Sequence, residues 1–246
     1  MKAMIFAAGL GTRLKPFTNY HPKALAEVNG ITLLELAIRK LSSAGISDII
    51  INVHHFSEQI LDFLQQKNKF GINIEISDES DKLLDTGGGL KKASWFFNDN
   101  KSFLVYNVDV ISDIDLDVLF HTHLQSGSIA TLAVKHRSTA RYFLFNDGNQ
   151  LCGWQNVKTG EKKIARESIE NLTPLAFSGI QLIHPSIFPL ITEEGKFSMT
   201  DIYIRLATYH NITGYKHNED IWMDLGKPEN IEEASTYLRI NPELYD

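Results

Sequence analysis

A buried apolar run that breaks into a glycine turn and then meets two cations constrains this chain more than any other feature. Met4-Ile5-Phe6-Ala7-Ala8 reads as a short inner strand. It stops at Gly9-Leu10-Gly11-Thr12-Arg13, where two glycines free the backbone for tight turns and leave N–H groups open. N–H groups presented by such a loop form an anion-binding concavity. Arg13 adds a planar fork suited to a phosphate, and Lys23 adds a point charge. Strand, glycine loop and two cations outline a polyphosphate cradle. The competing reading is a structural turn with solvated charges.

Two familiar phosphate motifs fail here. In a dinucleotide fingerprint a third glycine would stand at Leu14, and the second predicted strand, ending in Asn52-Val53, closes on no acidic residue. The P-loop string G-x-x-x-x-G-K-[ST] is absent. A net charge of −6 excludes a broad basic face for nucleic acid, so any phosphate site must be a local cluster of cations. No stretch reaches the ~18 apolar residues of a membrane span, and the first apolar run leads into GTRLKP rather than a cleavage site. Cys152 is the only cysteine, which rules out an intrachain disulfide, fits a reducing compartment and gives it the role of a small core residue. A cytoplasmic protein is expected.

The order of periodic segments predicts an α/β fold. Ile31 to Ala44 has apolar residues at helical spacing, with Gly45 at the C′ position. Asp48 to Val53 is a continuous apolar strand, Ser57 is placed to cap a helix through about Gln66, and Ile72 to Ile76 alternates. This is a Rossmann-like, mostly parallel sheet flanked by helices. Three glycines, Gly87-Gly88-Gly89, precede a helical pattern (Leu90, Ala93, Trp95, Phe96) and let backbone approach a flat ligand. Ser102 to Asn107 is a further strand, and Asp109 just beyond it lies at the ligand edge of such a sheet. Helix is expected over 116–124, strand over 129–134, and a hairpin from 142–145 and 151–154 about the turn 146–149. The charged stretch 158–170 reads as a solvated loop, and His54-His55 as a polar strand end. Pro228 opens a terminal helix with Ile231, Ala234 and Leu238 on one face.

AAGLGTRLKPFTNYHPKAL resembles the signature of the sugar-1-phosphate nucleotidyltransferases, AGGxGTRLxPLTxxxPKPL, with Ala8 and Ala24 as departures. Its Ala-Ala-Gly form is similar to the branch holding N-acetylmuramate-1-phosphate uridylyltransferases and some mannose-1-phosphate guanylyltransferases. The likeness extends to Asp224-Leu225-Gly226, so it covers nearly the whole chain. It implies a single catalytic domain over 1–246, with nucleotide bound by about 1–112 and sugar by about 113–246. Hexapeptide repeats are absent, so no β-helix domain is expected.

What the resemblance implies can be set out by position. Ala8, Gly9, Gly11, Thr12, Arg13 and Lys23 hold the nucleotide's phosphates, with Arg13 and Lys23 catalytic. Thr86, Gly87 and Gly88 match a segment lying against the base, where Asp85 replaces the usual Glu. Asn107 and Gly179 match sugar contacts, and Val108 stands where a glycine is usual. Asp109 and Asp224 match the ligands of Mg²⁺, the one cofactor expected. The Glu-Lys-Pro sugar grip of many relatives is missing, and Gly179 reads equally as a β-bulge. If the strands before Asp109 and Asp224 are parallel neighbours, their ends bring both carboxylates together.

The implied reaction joins a nucleoside triphosphate to a sugar 1-phosphate and releases pyrophosphate. UTP with N-acetylmuramate 1-phosphate is the first expectation. GTP with mannose 1-phosphate is the second, and an inactive nucleotide-sensing subunit the third. The substrates are the only expected partners, with no nucleic acid and no membrane, and nothing chooses between monomer and dimer.

Overall fold

The computed structural model describes residues 1–166 and 172–241. From the N-terminus come β1 (Lys2–Phe6), the short pair β2 (Glu27–Val28) and β3 (Ile31–Thr32), α1 (Leu33–Ser43), β4 (Asp48–Val53), α2 (Ser57–Gln66) and β5 (Asn73–Asp78). Then follow α3 (Asp85–Lys92), β6 (Phe103–Asn107), β7 (Val110–Ser112), α4 (Leu116–Ser126) and β8 (Ala130–Lys135). The rest is β9 (Arg141–Phe145), β10 (Leu151–Asn156), β11 (Glu161–Ile164), β12 (Thr173–Ile183), α5 (Met199–Ala207), β13 (Ile212–Lys216), β14 (Trp222–Asp224) and α6 (Pro228–Ile240).

Strands β5, β4, β1 and β6 lie side by side and all parallel. Their continuous apolar runs follow from burial on both faces. Side chains alternate across the sheet, so Ala3, Ile5, Ile49, Ile51, Leu104 and Tyr106 enter one core. Met4, Ile50, Phe103 and Val105 enter the other. β12 pairs antiparallel with β6 and carries the sheet into the second half of the chain, where β8, β9, β10 and β11 extend it antiparallel and β13 returns parallel to β8. Cys152 is buried, and burial pushes its thiol pKa up, as suits a core residue.

Several expectations need correction. Helix α1 begins at Leu33 rather than Ile31, because Ile31–Thr32 pairs with Glu27–Val28 and the Thr32 hydroxyl then caps the helix by accepting from Glu35 N–H. Ser57 does not cap α2. Phe56, in the left-handed region, holds the cap position and makes no side-chain cap bond. Glu161–Ile164 is a strand paired with β10 although all four residues are exposed, and residues 167–170 of that predicted loop lie outside the described residues. The three glycines do not precede α3 but lie within it. β14 is not a parallel neighbour of the main sheet; it forms a separate antiparallel pair with β7. The carboxylates still converge, because in that register Asp224 lies opposite Val110, one residue past Asp109.

Candidate active site

The loop between β1 and the Thr12–Leu14 turn closes the C-terminal end of the parallel strands, where α/β sheets take ligands. Gly11 adopts φ +59°, and a Cβ there would lie 2.8 Å from both Lys23 Cβ and Thr18 Cγ2. Only glycine lets Lys23 pack so closely against the turn. The Thr18 hydroxyl and Leu14 N–H both donate to the Gly11 carbonyl, at 2.9 and 2.8 Å, and fix the loop from below. Gly9 has nothing within 4 Å of where a Cβ would be, so its backbone faces open space. Ala8, Gly9, Gly11, Thr12 and Lys23 all line one open cleft of about 420 Å³.

Lys23 Nζ donates to Asp109 Oδ2 in this cleft. Arg13 does not line it. The guanidinium instead lies 3.8 Å from Asp224 Oδ2. Gly226 makes that pairing possible, since a Cβ there would stand 2.4 Å from Arg13 Nη2. Leu225 N–H donates to the Asp109 carbonyl at 2.7 Å, Gly226 N–H donates to Asp224 Oδ1 at 2.8 Å, and both aspartates are thereby fixed at one edge. Two carboxylates at one edge repel unless positive charge stands beside them. Each has a cation, and no group of three His, Cys, Asp or Glu side chains forms a closed metal cage among the described residues. Two hard oxygen ligands beside a phosphate cradle fit Mg²⁺, which keeps waters and phosphate oxygens in its shell. They do not fit zinc.

The cleft also contains Glu79, which the sequence reading overlooked. Glu79 is fully buried directly after β5; its Oε1 accepts from Asn52 Nδ2 at 2.7 Å and its Oε2 from Leu84 N–H at 3.0 Å. Asn52 Oδ1 in turn accepts from Ala7 N–H at 2.8 Å, so the pair braces the start of the glycine loop. The position of Glu79 at a parallel strand's C-terminal end was the signal that could have identified it. Thr86 lines the cleft, and its hydroxyl accepts from Met199 N–H at 3.0 Å. Gly87 and Gly88 do not line it. Both N–H groups donate to the Phe197 carbonyl, and a Cβ on Gly88 would stand 2.2 Å from the Gly195 oxygen.

Asn107 lines the cleft at the end of β6, and Gly179 packs against it. Gly179 adopts φ +76° where the register of β12 against β8 shifts, so it is a bulge glycine as well as a neighbour of Asn107. Next to it, the Ser178 carbonyl accepts from Trp222 Nε1 at 2.8 Å, and the Ser178 hydroxyl bonds His217 Nε2 at 2.6 Å. Burial, with Lys135 and Arg137 nearby, lowers the pKa of His217 to about 4 and keeps the ring neutral.

A family model described as nucleotidyl transferase matches residues 2–240. The chain belongs to that family. Across 95% of its length this nucleotidyl transferase is 30% identical to an N-acetylmuramate alpha-1-phosphate uridylyltransferase of Neisseria meningitidis, of which the match spans 96%. It is also 30% identical, over 94% of its length, to a mannose-1-phosphate guanyltransferase of Yarrowia lipolytica, of which it spans 62%. Its fold is that of HddC from Yersinia pseudotuberculosis, solved in complex with GMP-PN, at a TM-score of 0.77 and 20% identity, covering 96% of this chain and 99% of that one. The protein is thus a sugar-1-phosphate nucleotidyltransferase. Among the described residues no helix is long and apolar enough to cross a membrane.

Proposed function

We propose that this nucleotidyltransferase joins UTP to N-acetylmuramate 1-phosphate, giving the UDP-sugar and pyrophosphate. The observation that carries nucleotidyl transfer is the meeting of Lys23 with Asp109 beside the open glycine loop, cation and carboxylate at one ligand edge. A phosphate oxygen of the sugar 1-phosphate attacks the α-phosphorus of UTP, and the bond from that phosphorus to the bridging oxygen breaks as pyrophosphate leaves. Several negative charges gather during this step, so catalysis needs neutralisation and in-line positioning more than a protein base.

The N–H groups of Ala8, Gly9, Gly11 and Thr12 hold the β- and γ-phosphates, and Arg13 joins them by leaving Asp224. Lys23 bridges the α-phosphate and the sugar phosphate, where charge develops in the transition state. Asp109 and Asp224 hold Mg²⁺, which supplies Lewis-acid neutralisation of the phosphate oxygens. Thr86 faces the base; Gly87 and Gly88 serve it by letting α3 pack tightly under the 195–197 segment. Asn107 meets the sugar, with Gly179 giving it room.

Support for the uridylyl reading is a likeness that runs through nearly the whole of both chains. The equal identity to a mannose-1-phosphate guanyltransferase favours GTP with mannose 1-phosphate as the second reading. Comparing kcat/KM for UTP and GTP, each with its sugar 1-phosphate, separates the two. UTP with N-acetylmuramate 1-phosphate is expected to be preferred, and a clear preference for GTP would sink the first reading.

A further inference from the structure

Arg137 follows β8, in the part of the chain expected to meet the sugar. Its guanidinium lies over the Trp222 ring at 4.0 Å. Trp222 and Asp224 are two residues apart on one strand and so share a face, about 7 Å from each other. One N–H of Arg137 donates to the Phe177 carbonyl at 2.7 Å, while its buried Nε has no hydrogen-bond partner. Among the described residues no carboxylate lies within 4.0 Å of the Arg137 guanidinium, and Asp224 is engaged by Arg13 and Gly226. Burial lowers the Arg137 pKa, while the Asp224 charge opposes that shift.

A half-buried cation without a counter-ion is costly, and stacking on an indole occupies only the flat face of the fork. With Nη2 on the Phe177 carbonyl and Nε buried, Nη1 is the donor that stays available for an anion. The phosphates have their own cations in Lys23, paired with Asp109, and Arg13, paired with Asp224. The anion that completes Arg137 therefore belongs to the sugar. We infer that Arg137 is a specificity residue that binds a carboxylate borne by the sugar 1-phosphate. The inference rests on the N-acetylmuramate reading, since that sugar carries a lactyl carboxylate and mannose does not.

The test measures kcat/KM for N-acetylmuramate 1-phosphate and for N-acetylglucosamine 1-phosphate, which lacks the lactyl group, in wild type, Arg137→Met and Arg137→Lys. A sugar phosphate that is not turned over is scored by its inhibition constant. The ratio of the two substrates cancels any loss that misfolding imposes on both, and circular dichroism checks the fold. Losing a charged hydrogen bond should lower the ratio roughly 10- to 100-fold in Arg137→Met. Arg137→Lys should recover part of it, and keeps the test open if the methionine variant does not fold. An unchanged ratio in variants of a wild type that prefers the acidic sugar overturns the role of Arg137 alone. A wild type that prefers neutral sugars overturns both it and the reading beneath it.

Discussion

Two glycine-rich segments look alike on paper and behave oppositely in the fold. Around Gly9 the backbone opens onto the cleft, with nothing within 4 Å of an added Cβ. Around Gly87, Gly88 and Gly89 there is no room at all: the ring of Phe197, the Gly195 oxygen and Glu79 Oε1 all fall within 2.5 Å of an added Cβ. Gly9 uses the missing side chain to expose backbone, whereas Gly87, Gly88 and Gly89 use it to let a helix and its neighbours touch. The contrast extends to their surroundings. Near the loop, charges stand in matched pairs open to a ligand; beneath the helix, Glu79 and Asn52 are buried and already bonded to each other. Changes at the open side should alter turnover with little effect on stability, and changes at the packed side the reverse.

The largest expected effect is on the open side. Asp109→Asn and Asp224→Asn should each cost on the order of 10²–10³ or more in turnover with melting temperature nearly kept, as should EDTA on the wild type. The double variant should be little worse than either single one, because both act through one ion. Normal rates in either single variant, or in EDTA, would remove the metal site. Lys23→Ala follows, with a loss on the order of 10²–10³ in kcat and a fold intact by circular dichroism. Near-normal turnover would take Lys23 out of the mechanism.

The comparison is sharpest between two alanine substitutions. Gly9→Ala should raise the apparent KM for the nucleotide roughly 10-fold or more while stability stays within about 0.5 kcal/mol. Gly88→Ala forces backbone apart and should cost about 1–3 kcal/mol in a urea titration. If Gly88→Ala were stable and Gly9→Ala unfolded, the division would be wrong.

The smallest effect concerns His123, buried on α4, whose ring nitrogens meet the Thr131 and Ser102 hydroxyls at 2.9 Å each. Burial lowers its pKa from 6.5 to about 4, so between those values the unfolded chain binds the proton and the folded one does not. Stability should therefore rise with pH across that window, by at most about 3 kcal/mol from this group, and gain nothing more above it. His123→Gln should flatten the rise, read from urea midpoints between pH 4.5 and 7. An equal slope in both proteins would show His123 to be charged when folded.

What could be read in advance depended on how local the physics was. β4 was readable residue by residue, because a doubly covered strand is a plain apolar run. Asp109 was readable as a residue just past a strand end. Helix α5 drew no prediction although Ser198 stands at its cap and Met199, Ile202, Tyr203 and Leu206 follow at helical spacing. The glycine run escaped because its three residues are poor helix formers, held helical by tertiary contacts with 195–197. The pairing of β14 with β7 was beyond local reasoning, since strands of three residues carry too little pattern to reveal partner or direction. Glu79 and Arg137 were overlooked for a related reason: a charged residue in a polar stretch looks solvated until the fold buries it.

The most direct measurement follows pyrophosphate and nucleotide sugar together. Purified protein is supplied with Mg²⁺, UTP and N-acetylmuramate 1-phosphate, and each reagent is omitted in turn. Pyrophosphate and UDP-sugar should form in equal amounts, only when all three are present, and neither should form with Asp109→Asn at comparable protein. Hydrolysis of UTP without the sugar phosphate, or no pyrophosphate with any nucleoside triphosphate and sugar 1-phosphate pair, would contradict a nucleotidyl transfer at this cleft.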